Sequence, residues 1–411
     1  MLIWANQFSI FCFLDNHHYQ IGPHSLECIL AAGAKKVFKG EPGTALQELQ
    51  KFINSKPGWL FGHLGYELNN ETENITSSQK NRIQFPPAYF FEAEIMIRLS
   101  EKELIIESDG NAELIFRQLM ETPVAVNAKR EASSFELKQR FSKAEYQNTV
   151  IDLKWHILRG DCYEINFCNE FFAENVTIDP LLVYNKLSSF SPNPFSALYK
   201  TEDKFLICAS PERFLKKEAG RILSQPIKGT SSRFLPDEDK DFLSKKNLSE
   251  SRKDRSENVM VVDLVRNDLS QVCVQGTVTV DELFGIYSFP QVHQMISTVS
   301  GKLKENISFG EIINATFPMG SMTGAPKKRV MELIEKYEKS ERGIFSGALG
   351  YITPDGDFDF NVVIRSIMYN DTEKYVSFMA GAGITFYSDP EQEYEECLLK
   401  AEAMKRSLSS I

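Results

Sequence analysis

Five short strand-like segments, separated by turn residues, dominate the first 125 of the chain's 411 residues. Apolar, aromatic and β-branched residues, which favour strands, are frequent in FSIFCFL, KVFKG, GWLFGHLGY, EIMIRLS and ELIIESD. Beyond this region, strand-like and helix-like patterns mix without the regular alternation that builds a doubly wound parallel sheet. The sequence therefore predicts a sheet-rich first half and argues against a parallel α/β architecture.

A polar, weakly patterned stretch, VNAKREASSFE, begins at Val126 and is the best candidate for a linker. It divides the chain into a sheet-rich N-terminal half, residues 1–125, and a second region, residues 126–411. A helix is predicted early in the second region, because Ser142 and Glu145 form a capping box and Gly160 is typical of a helix end. Further along, the Asp-, Lys- and Ser-rich segment 236–254 is interpreted as a solvated surface connection.

Charge and cysteine usage argue against several classes of protein. The net charge of −10 argues against a dedicated nucleic-acid binder, which needs a concentrated basic surface. No apolar run approaches the ~18 residues of a membrane span, and MLIWANQFSI lacks the basic region of a signal peptide. Seven scattered cysteines without a CxxC pair indicate reduced thiols, so we expect a cytoplasmic protein.

The last predicted helix carries candidate metal ligands. Asp389 and Pro390 mark its start. Glu393, Glu396 and Lys400 then share one face of the helix. This face is either a solvated surface with a Glu–Lys pair or one wall of a site.

A second acidic helix is predicted from SENVMVVDLVRNDL, where positions 259–265 are almost entirely apolar and therefore expected to be buried. Polar side chains lie within or beside this run: Glu257, Asp263, Arg266, Asn267 and Asp268. Buried carboxylates need partners or a metal ion. Two facing acidic helices would form an oxygen-ligand site for Mg²⁺, and the alternative is an internal network of salt bridges.

Two further residues have the surroundings expected of catalytic groups. Lys228 lies in SQPIKGTSSR, where apolar neighbours predict a partly desolvated amine with a lowered pKa, suited to a nucleophile. The alternative is an ordinary surface lysine. Glu212 follows the apolar strand FLICA and lies in SPERF. It is either a general acid with a raised pKa or a partner of Arg213.

Two glycine-rich segments and one arginine indicate anion binding. GSMTGAPKKR, from Gly320, and AGAGI, with Gly381 and Gly383, predict turns whose backbone N–H groups can bind carboxylates. Neither is a P-loop or a GxGxxG motif. Arg365 ends the apolar segment NVVIRSI and can hold a carboxylate through two hydrogen bonds. Together with Lys400 and a metal ion, these groups predict a site for a small dianion in an acidic protein.

Ten segments occur in an order that is more specific than any one motif: GDCYEINF, SPERF, PIKGT, KDRSENVMVVDLVRNDL, VHQMISTVSG, GSMTGAPKKRVMELI, GALGYI, VIRSI, AGAGI and EQEYEECLLKAEAM. In this order, the chain resembles the chorismate-utilising enzymes. The resemblance implies an α+β fold in which two large, mostly antiparallel β-sheets pack together with flanking helices. It also implies that residues 1–125 and the chorismate-binding catalytic region, residues 126–411, form one intertwined body.

The resemblance implies roles for individual residues. Lys228 matches a nucleophile, and Glu212 matches the general acid that protonates the departing C4 hydroxyl of chorismate. Three positions match or adjoin ligands of Mg²⁺: Glu257, Glu396 and Glu393. The positions that match substrate-binding residues are Gly229, Thr230, Tyr351, Arg365, Gly381, Ala382, Gly383 and Lys400.

Three positions distinguish branches of this family. PIKGT, with Lys228, resembles the branch that aminates chorismate at C4, whereas the anthranilate-forming branch has PIAGT. Glu164 stands where water-using members have a base lysine, and Gln294 stands where anthranilate-forming members have His. These residues favour amination at C4. The alternatives are an anthranilate-forming enzyme and a non-catalytic chorismate-binding homologue.

The sequence has no G-x-C-x-G segment of the kind that carries a glutaminase nucleophile. The resemblance therefore implies that a separate glutamine amidotransferase subunit supplies ammonia to this chain. Neither a nucleic acid nor a membrane is expected as a partner.

Overall fold

The structure is a computed structural model that describes residues 1–19, 26–73, 75, 79, 81–123 and 135–409. The linker predicted from Val126 begins outside these residues, and so does the boundary at residues 125 and 126. None of the helices in the described ranges is long and apolar enough to cross a lipid bilayer.

The strands of the described residues are, in chain order, β1 Ile10–Asp15, β2 Leu26–Lys39, β3 Leu60–Leu64, β4 Ala88–Ser100, β5 Leu104–Ser108, β6 Lys138–Gln139, β7 Glu164–Glu174, β8 Phe195–Thr201, β9 Lys204–Ser210, β10 Arg213–Glu218, β11 Arg221–Gln225, β12 Ile227–Ser232, β13 Thr279–Ser288, β14 Val292–Lys302, β15 Gly324–Ala325, β16 Ala348–Ile352, β17 Phe358–Val362, β18 Ser366–Asn370 and β19 Tyr375–Ile384. All five segments predicted as strands in the first 125 residues contain or overlap one of them.

The α-helices of the described residues are α1 Leu2–Ala5, α2 Ala45–Asn54, α3 Asn69–Glu73, α4 Ala112–Glu121, α5 Lys143–Leu158, α6 Pro180–Phe190, α7 Glu238–Glu250, α8 Arg252–Val272, α9 Phe309–Thr316, α10 Lys327–Tyr337 and α11 Pro390–Ser409. Short 3₁₀ helices lie at Tyr66–Leu68 and Gly320–Met322. The predicted capping box at the start of α5 is present, since Ser142 and Glu145 cap each other's backbone. The fold is α+β, as predicted.

Every strand pairing in the described residues is antiparallel, and the strands connect into one hydrogen-bonded network. Its main series runs β7–β19–β18–β9–β8–β1–β2–β4–β3–β16–β17–β10–β11–β14. At the far end, β12 and β13 both pair with β14. The N-terminal strands β1–β4 thus lie in the middle of the series, paired to strands of the second region on both sides.

Two clusters of buried apolar side chains stabilise this sheet. Successive residues of β1 point to opposite faces, so Phe11 and Phe13 join one cluster while Ile10 and Cys12 join the other. Helices α5, α6 and α11 pack on the first cluster, and α8 and α9 pack on the second. The helices therefore cover both apolar clusters of the sheet.

Two predicted segments of the second region each carry several charged residues. The segment 236–254, predicted as a solvated surface connection, contains helix α7, which Asp237 caps and whose surface is mostly exposed. Helix α8 is buried on one side only, so Asp263 and Arg266 form an exposed ion pair of 2.8 Å. Asp268 is buried and pairs with Lys327 at 2.8 Å. For these residues the salt-bridge alternative is correct.

A buried ion pair holds the loop after α10 against β7. Arg342 donates to both carboxylate oxygens of Glu338, at 2.6 and 2.9 Å, and also to the carbonyls of Asn166 and Met322. Only 1% and 3% of the two ion-paired side chains is exposed. Removing one partner of such a pair leaves a buried charge without compensation.

We expect Arg342→Met to lower the free energy of unfolding by about 3–5 kcal/mol, because Glu338 would remain buried and unpaired. The matched control is Arg266→Met, which removes the exposed pair with Asp263 and should cost at most about 1 kcal/mol. Chemical denaturation followed by circular dichroism measures both. Equal losses in the two variants would contradict the assigned role of burial.

Candidate active site

The two ends of the strand series meet at one contact. Lys228, near the start of β12, donates to Glu164, the first residue of β7, and their Nζ and Oε1 atoms are 2.5 Å apart. The side chains are 12% and 4% exposed. Gly383 of β19 lies beside them, since a Cβ atom there would be 2.8 Å from the Glu164 Oε1 and 3.0 Å from the Lys228 Nζ. Glycine at this position leaves room for the ion pair.

Local backbone irregularity positions Lys228. The register between β12 and β14 shifts between Ile227 and Thr230, as at a β-bulge, which re-aims a side chain. Gly229 has φ +95°, and a Cβ there would be 2.9 Å from the Cβ of Asp254 on α8. Glycine is therefore required beside the lysine. Thr230 follows on the strand and is exposed.

The predicted direction of the Lys228 pKa is wrong in this structure. Burial lowers the pKa of this amine, as the apolar neighbours suggested, but Glu164, Glu257 and Glu212 together raise it above its ordinary value. In the absence of other ligands, Lys228 is thus held as an ammonium ion. The three carboxylates come from distant parts of the sequence.

Glu212 is buried, and its pKa is raised to about 7, chiefly by burial. The hydroxyl of Ser321 donates to its Oε1 at 2.6 Å. Arg213 is not its partner, because that guanidinium donates to both carboxylate oxygens of Asp359, at 2.9 and 3.0 Å. The carboxyl of Glu212 is therefore available to carry a proton near neutral pH.

Arg365 has the properties of an anion-binding residue. It lies between β17 and β18 with φ +50°, an uncommon backbone conformation for a residue other than glycine. Burial lowers the pKa of its guanidinium to about 10, and the charge of Glu212 opposes this shift. Within the described ranges, its side chain has no ion pair. A largely buried, unpaired guanidinium favours binding of a carboxylate.

Helices α8 and α11 bring three carboxylates together. Lys253 lies 3.4 Å from the Oε1 of Glu393 and 4.0 Å from the Oε1 of Glu257. Lys400 pairs with Glu396 at 2.8 Å and donates to the carbonyl of Gly381 at 3.0 Å. The three predicted metal ligands therefore lie close enough to interact electrostatically with the same lysine, Lys253.

The electrostatics of this acidic group fit a cation. Burial raises the pKa of Glu257 to about 7, and Glu164 and Glu396 add to the shift. The pKa of Glu396 is lowered. Burial alone would raise it, but the positive charges of Lys400 and other lysines outweigh burial. The Oε1 of Glu257 and the Oε2 of Glu393 are buried and accept no hydrogen bond from any residue that the structure describes. Such oxygens are suitable ligands for Mg²⁺.

No three His, Cys, Asp or Glu side chains among the described residues converge closely enough to hold a metal ion by themselves. This arrangement suits Mg²⁺, which is commonly bound through one or two protein carboxylates and completes its shell with water and substrate oxygens. The residues present therefore fit a metal ion that binds together with an anionic substrate.

The segment AGAGI is a strand and not a turn, which corrects the prediction. It belongs to β19, where Gly381 is opposite Cys168 and Gly383 is opposite Asn166. The side chain of Ala382 lies in the apolar cluster under α5 and α11, away from Lys228. A Cβ at Gly381 would be 2.1 Å from the carbonyl oxygen of Phe167. Gly381 therefore permits close approach of the two backbones, whereas Gly383 leaves room for the ion pair of Lys228 and Glu164.

Tyr351, like Ala382, is a predicted site residue that the structure does not bring to Lys228. Its ring packs against Trp59 and Phe61, with ring centroids 5.5 and 6.0 Å away. Together with Arg213 and Asp359 it lines a separate cavity of about 110 Å³. Glu212 lines a different pocket, together with Pro226 and Ser321. Tyr351 therefore lies behind the candidate active site.

Three contributors to the site were not singled out from the sequence. Ser321 binds Glu212, although GSMTGAPKKR was noted only for its backbone groups. Glu164 was noted as distinguishing family branches, but not as the partner of Lys228. Lys253 lies four residues before Glu257, and this i,i+4 spacing was the available signal.

Comparisons with known proteins agree with this architecture. The profile of the chorismate binding enzyme family matches residues 17–406. Aminodeoxychorismate synthase component 1 of Bacillus subtilis is 32% identical over 401 residues, covering 92% of this chain and 84% of the relative. The probable chloroplastic aminodeoxychorismate synthase of rice is 34% identical over 403 residues, covering 87% of this chain. The chain spans only 44% of the length of the rice relative.

A solved structure shows the same fold. Anthranilate synthase component I from Streptococcus pneumoniae superimposes with a TM-score of 0.82 at 25% identity, covering 94% of both chains. With the family profile and the relatives, this establishes the class of protein: the chain belongs to the chorismate binding enzyme family.

Proposed function

We propose that this chain is the chorismate-aminating component of an aminodeoxychorismate synthase, and that it forms 4-amino-4-deoxychorismate from chorismate and ammonia. The observation that carries the proposal is Lys228 in a buried cluster with Glu164, Glu212 and Glu257. The name of the Bacillus subtilis relative supports it. The alternatives are an anthranilate-forming enzyme, which would use no lysine at this position, and a non-catalytic homologue, which would need none of these groups.

Substrate binding is assigned to cationic groups and to backbone. Arg365 is buried and unpaired within the described residues, so it can take one carboxylate of chorismate through two hydrogen bonds. Lys400, fixed beside Gly381 on β19, adds positive charge. Gly229, Thr230 and Gly383 form the adjoining wall. Tyr351 is not part of this assignment, because it lines another cavity.

Mg²⁺ is proposed as the cofactor, held by one or two of the three carboxylates of Glu257, Glu393 and Glu396 together with oxygens of the substrate. When bound, it would act as a Lewis acid toward the ring carboxylate of the substrate. The orphaned buried oxygens of Glu257 and Glu393 support the assignment.

Glu212 and Lys228 carry the chemistry. The Lys228 amine attacks C2 of chorismate while Glu212 gives a proton to the C4 hydroxyl, which leaves as water. The amine must first lose a proton, and Glu164, 2.5 Å away, is the nearest acceptor. Ammonia then adds at C4 and the bond between C2 and Lys228 breaks. The proton that the added ammonia loses restores Glu212, and Glu164 returns its proton to the lysine. Splitting one displacement into two steps is the benefit of covalent catalysis.

The raised pKa of Glu212 predicts a pH dependence. At saturating free ammonia, kcat/KM for chorismate should fall as the pH rises through about 7, because the general acid loses its proton there. Ser321 stabilises the charged form by donating a hydrogen bond, so Ser321→Ala should move this fall to higher pH. The test is to measure the pH profiles of the wild type and of Ser321→Ala and to compare them. An alkaline limb that does not move in the variant would contradict the role of Glu212.

A glutamine amidotransferase partner is proposed as the source of ammonia. The word component in the name of the Bacillus subtilis relative supports a multi-part enzyme. All seven cysteines are buried, and none forms a disulfide bond within the part of the chain that the structure describes. This cysteine usage also supports our proposal that the chain works in the reducing cytoplasm. The relatives from rice and Arabidopsis thaliana are named as chloroplastic proteins.

The nitrogen source tests this proposal directly. We expect the 411-residue chain alone to form product with ammonium salts, with a rate that rises as more NH₃ becomes free, and to form none with glutamine. Product and glutamate are measured by mass spectrometry under identical conditions. Release of glutamate by the purified chain would contradict the two-subunit assignment.

A further inference from the structure

Lys253 occupies the space between two of the carboxylates assigned to the metal. It lies in the first turn of α8, and its Nζ is 3.4 Å from the Oε1 of Glu393 on α11 and 4.0 Å from the Oε1 of Glu257 on α8. About half of the Lys253 side chain is exposed, whereas the two carboxylates are 2% and 13% exposed. One half-exposed cation therefore lies between two buried carboxylates on different helices.

The contacts of this ammonium group are incomplete. Among the described residues it hydrogen-bonds only the Oε1 of Glu393, and the buried Oε2 of that residue accepts no hydrogen bond from them. The Oε1 of Glu257 likewise accepts none. An optimised structural salt bridge would satisfy these oxygens. The geometry instead resembles a place that a smaller cation with more contacts can take.

We propose that Lys253 is a positioning residue that holds the place of the divalent cation in the metal-free chain and leaves when the metal binds. The inference rests on the proposed function. Without a cation, Glu257 and Glu393 would repel each other across the gap between α8 and α11. The flexible lysine stem reduces this repulsion, and its exposed side gives it a path into solvent. Lys253 and Mg²⁺ would thus compete for the same oxygens.

The test measures metal binding without turnover. We expect Lys253→Met, which keeps the apolar stem and removes the charge, to bind Mg²⁺ about two- to fivefold more tightly in isothermal titration calorimetry, the factor that one partly exposed ion pair supports. The metal-free variant should also melt at a lower temperature than the wild type, and added Mg²⁺ should reduce that difference. Lys253→Arg should restore the wild-type affinity.

The control variant is Lys246→Met on α7. Lys246 makes an i,i+4 pair of the same 4.0 Å length with Glu250, but on an exposed surface, so its loss should leave Mg²⁺ affinity unchanged. Unchanged or weaker Mg²⁺ binding by Lys253→Met would overturn the inference. So would unchanged Mg²⁺ binding with weaker chorismate binding, which would make Lys253 a substrate ligand. Absence of Mg²⁺ binding in the wild type would instead contradict the metal site of the proposed function.

Discussion

Replacing Lys228 by alanine should reduce formation of aminodeoxychorismate by about 10³-fold or more, the scale seen when a covalent nucleophile is removed. Chorismate binding should persist, because Arg365 and Lys400 remain. A small amount of the 2-amino isomer is expected, since ammonia can enter the vacated space and attack C2 directly. Turnover assays at saturating Mg²⁺ and ammonium, with chorismate affinity measured separately, give both quantities.

Lys228→Arg is the discriminating control for this prediction. A guanidinium keeps the positive charge and the ion pair with Glu164, but it is not a nucleophile at neutral pH. If Lys228 only held a carboxylate, the arginine variant would keep much of the activity. The covalent account predicts that it is as inactive as the alanine variant.

Removing one metal ligand should have the second large effect. We expect Glu257→Gln to lower turnover at least about a hundredfold at moderate Mg²⁺ and to weaken Mg²⁺ binding, since several kcal/mol of charge stabilisation depend on the ion. Chelation with EDTA should abolish activity of the wild type, and excess Mg²⁺ should restore it.

Asp263→Asn is the matched control for this variant, because Asp263 lies on the same helix with its carboxylate exposed and paired to Arg266. It should retain full activity and wild-type Mg²⁺ affinity. Full activity of thoroughly chelated wild-type enzyme would contradict the metal assignment altogether.

The elements that were predicted correctly have local causes. Helix α5 was predicted from the capping box of Ser142 and Glu145, and α11 from Asp389, which accepts hydrogen bonds from the backbone of Glu391 and Gln392. These signals lie within a few residues of the feature that they specify. The same holds for the apolar, aromatic and β-branched residues of the N-terminal strands and for the turn residues between them.

The features that were missed depend on contacts between distant segments. The Lys228 pKa was predicted from its apolar neighbours, but carboxylates at positions 164, 212 and 257 decide its direction. The glycines of AGAGI suggested a turn, whereas the close approach of β7 to β19 requires them. Neither fact can be read from a local window, because both follow from the order of strands in the sheet.

The placement of Tyr351 illustrates the same limit for a family resemblance. GALGYI matches the family as a segment, yet a strand presents alternate residues to opposite faces. Tyr351 therefore faces the cavity lined by Arg213 and Asp359 and not the cluster around Lys228. A motif locates a strand in the site, but the pairing of that strand determines which of its side chains enter.

The proposed function depends above all on amination of chorismate at C4 through Lys228. The most direct measurement is identification by mass spectrometry and NMR of the product formed by the wild-type chain from chorismate, ¹⁵N-ammonium and Mg²⁺. The account predicts 4-amino-4-deoxychorismate with the label on C4 and the enolpyruvyl group retained, together with a chorismate-derived mass on Lys228 when ammonium is withheld. Labelled anthranilate with release of pyruvate, or no product at all, would contradict it.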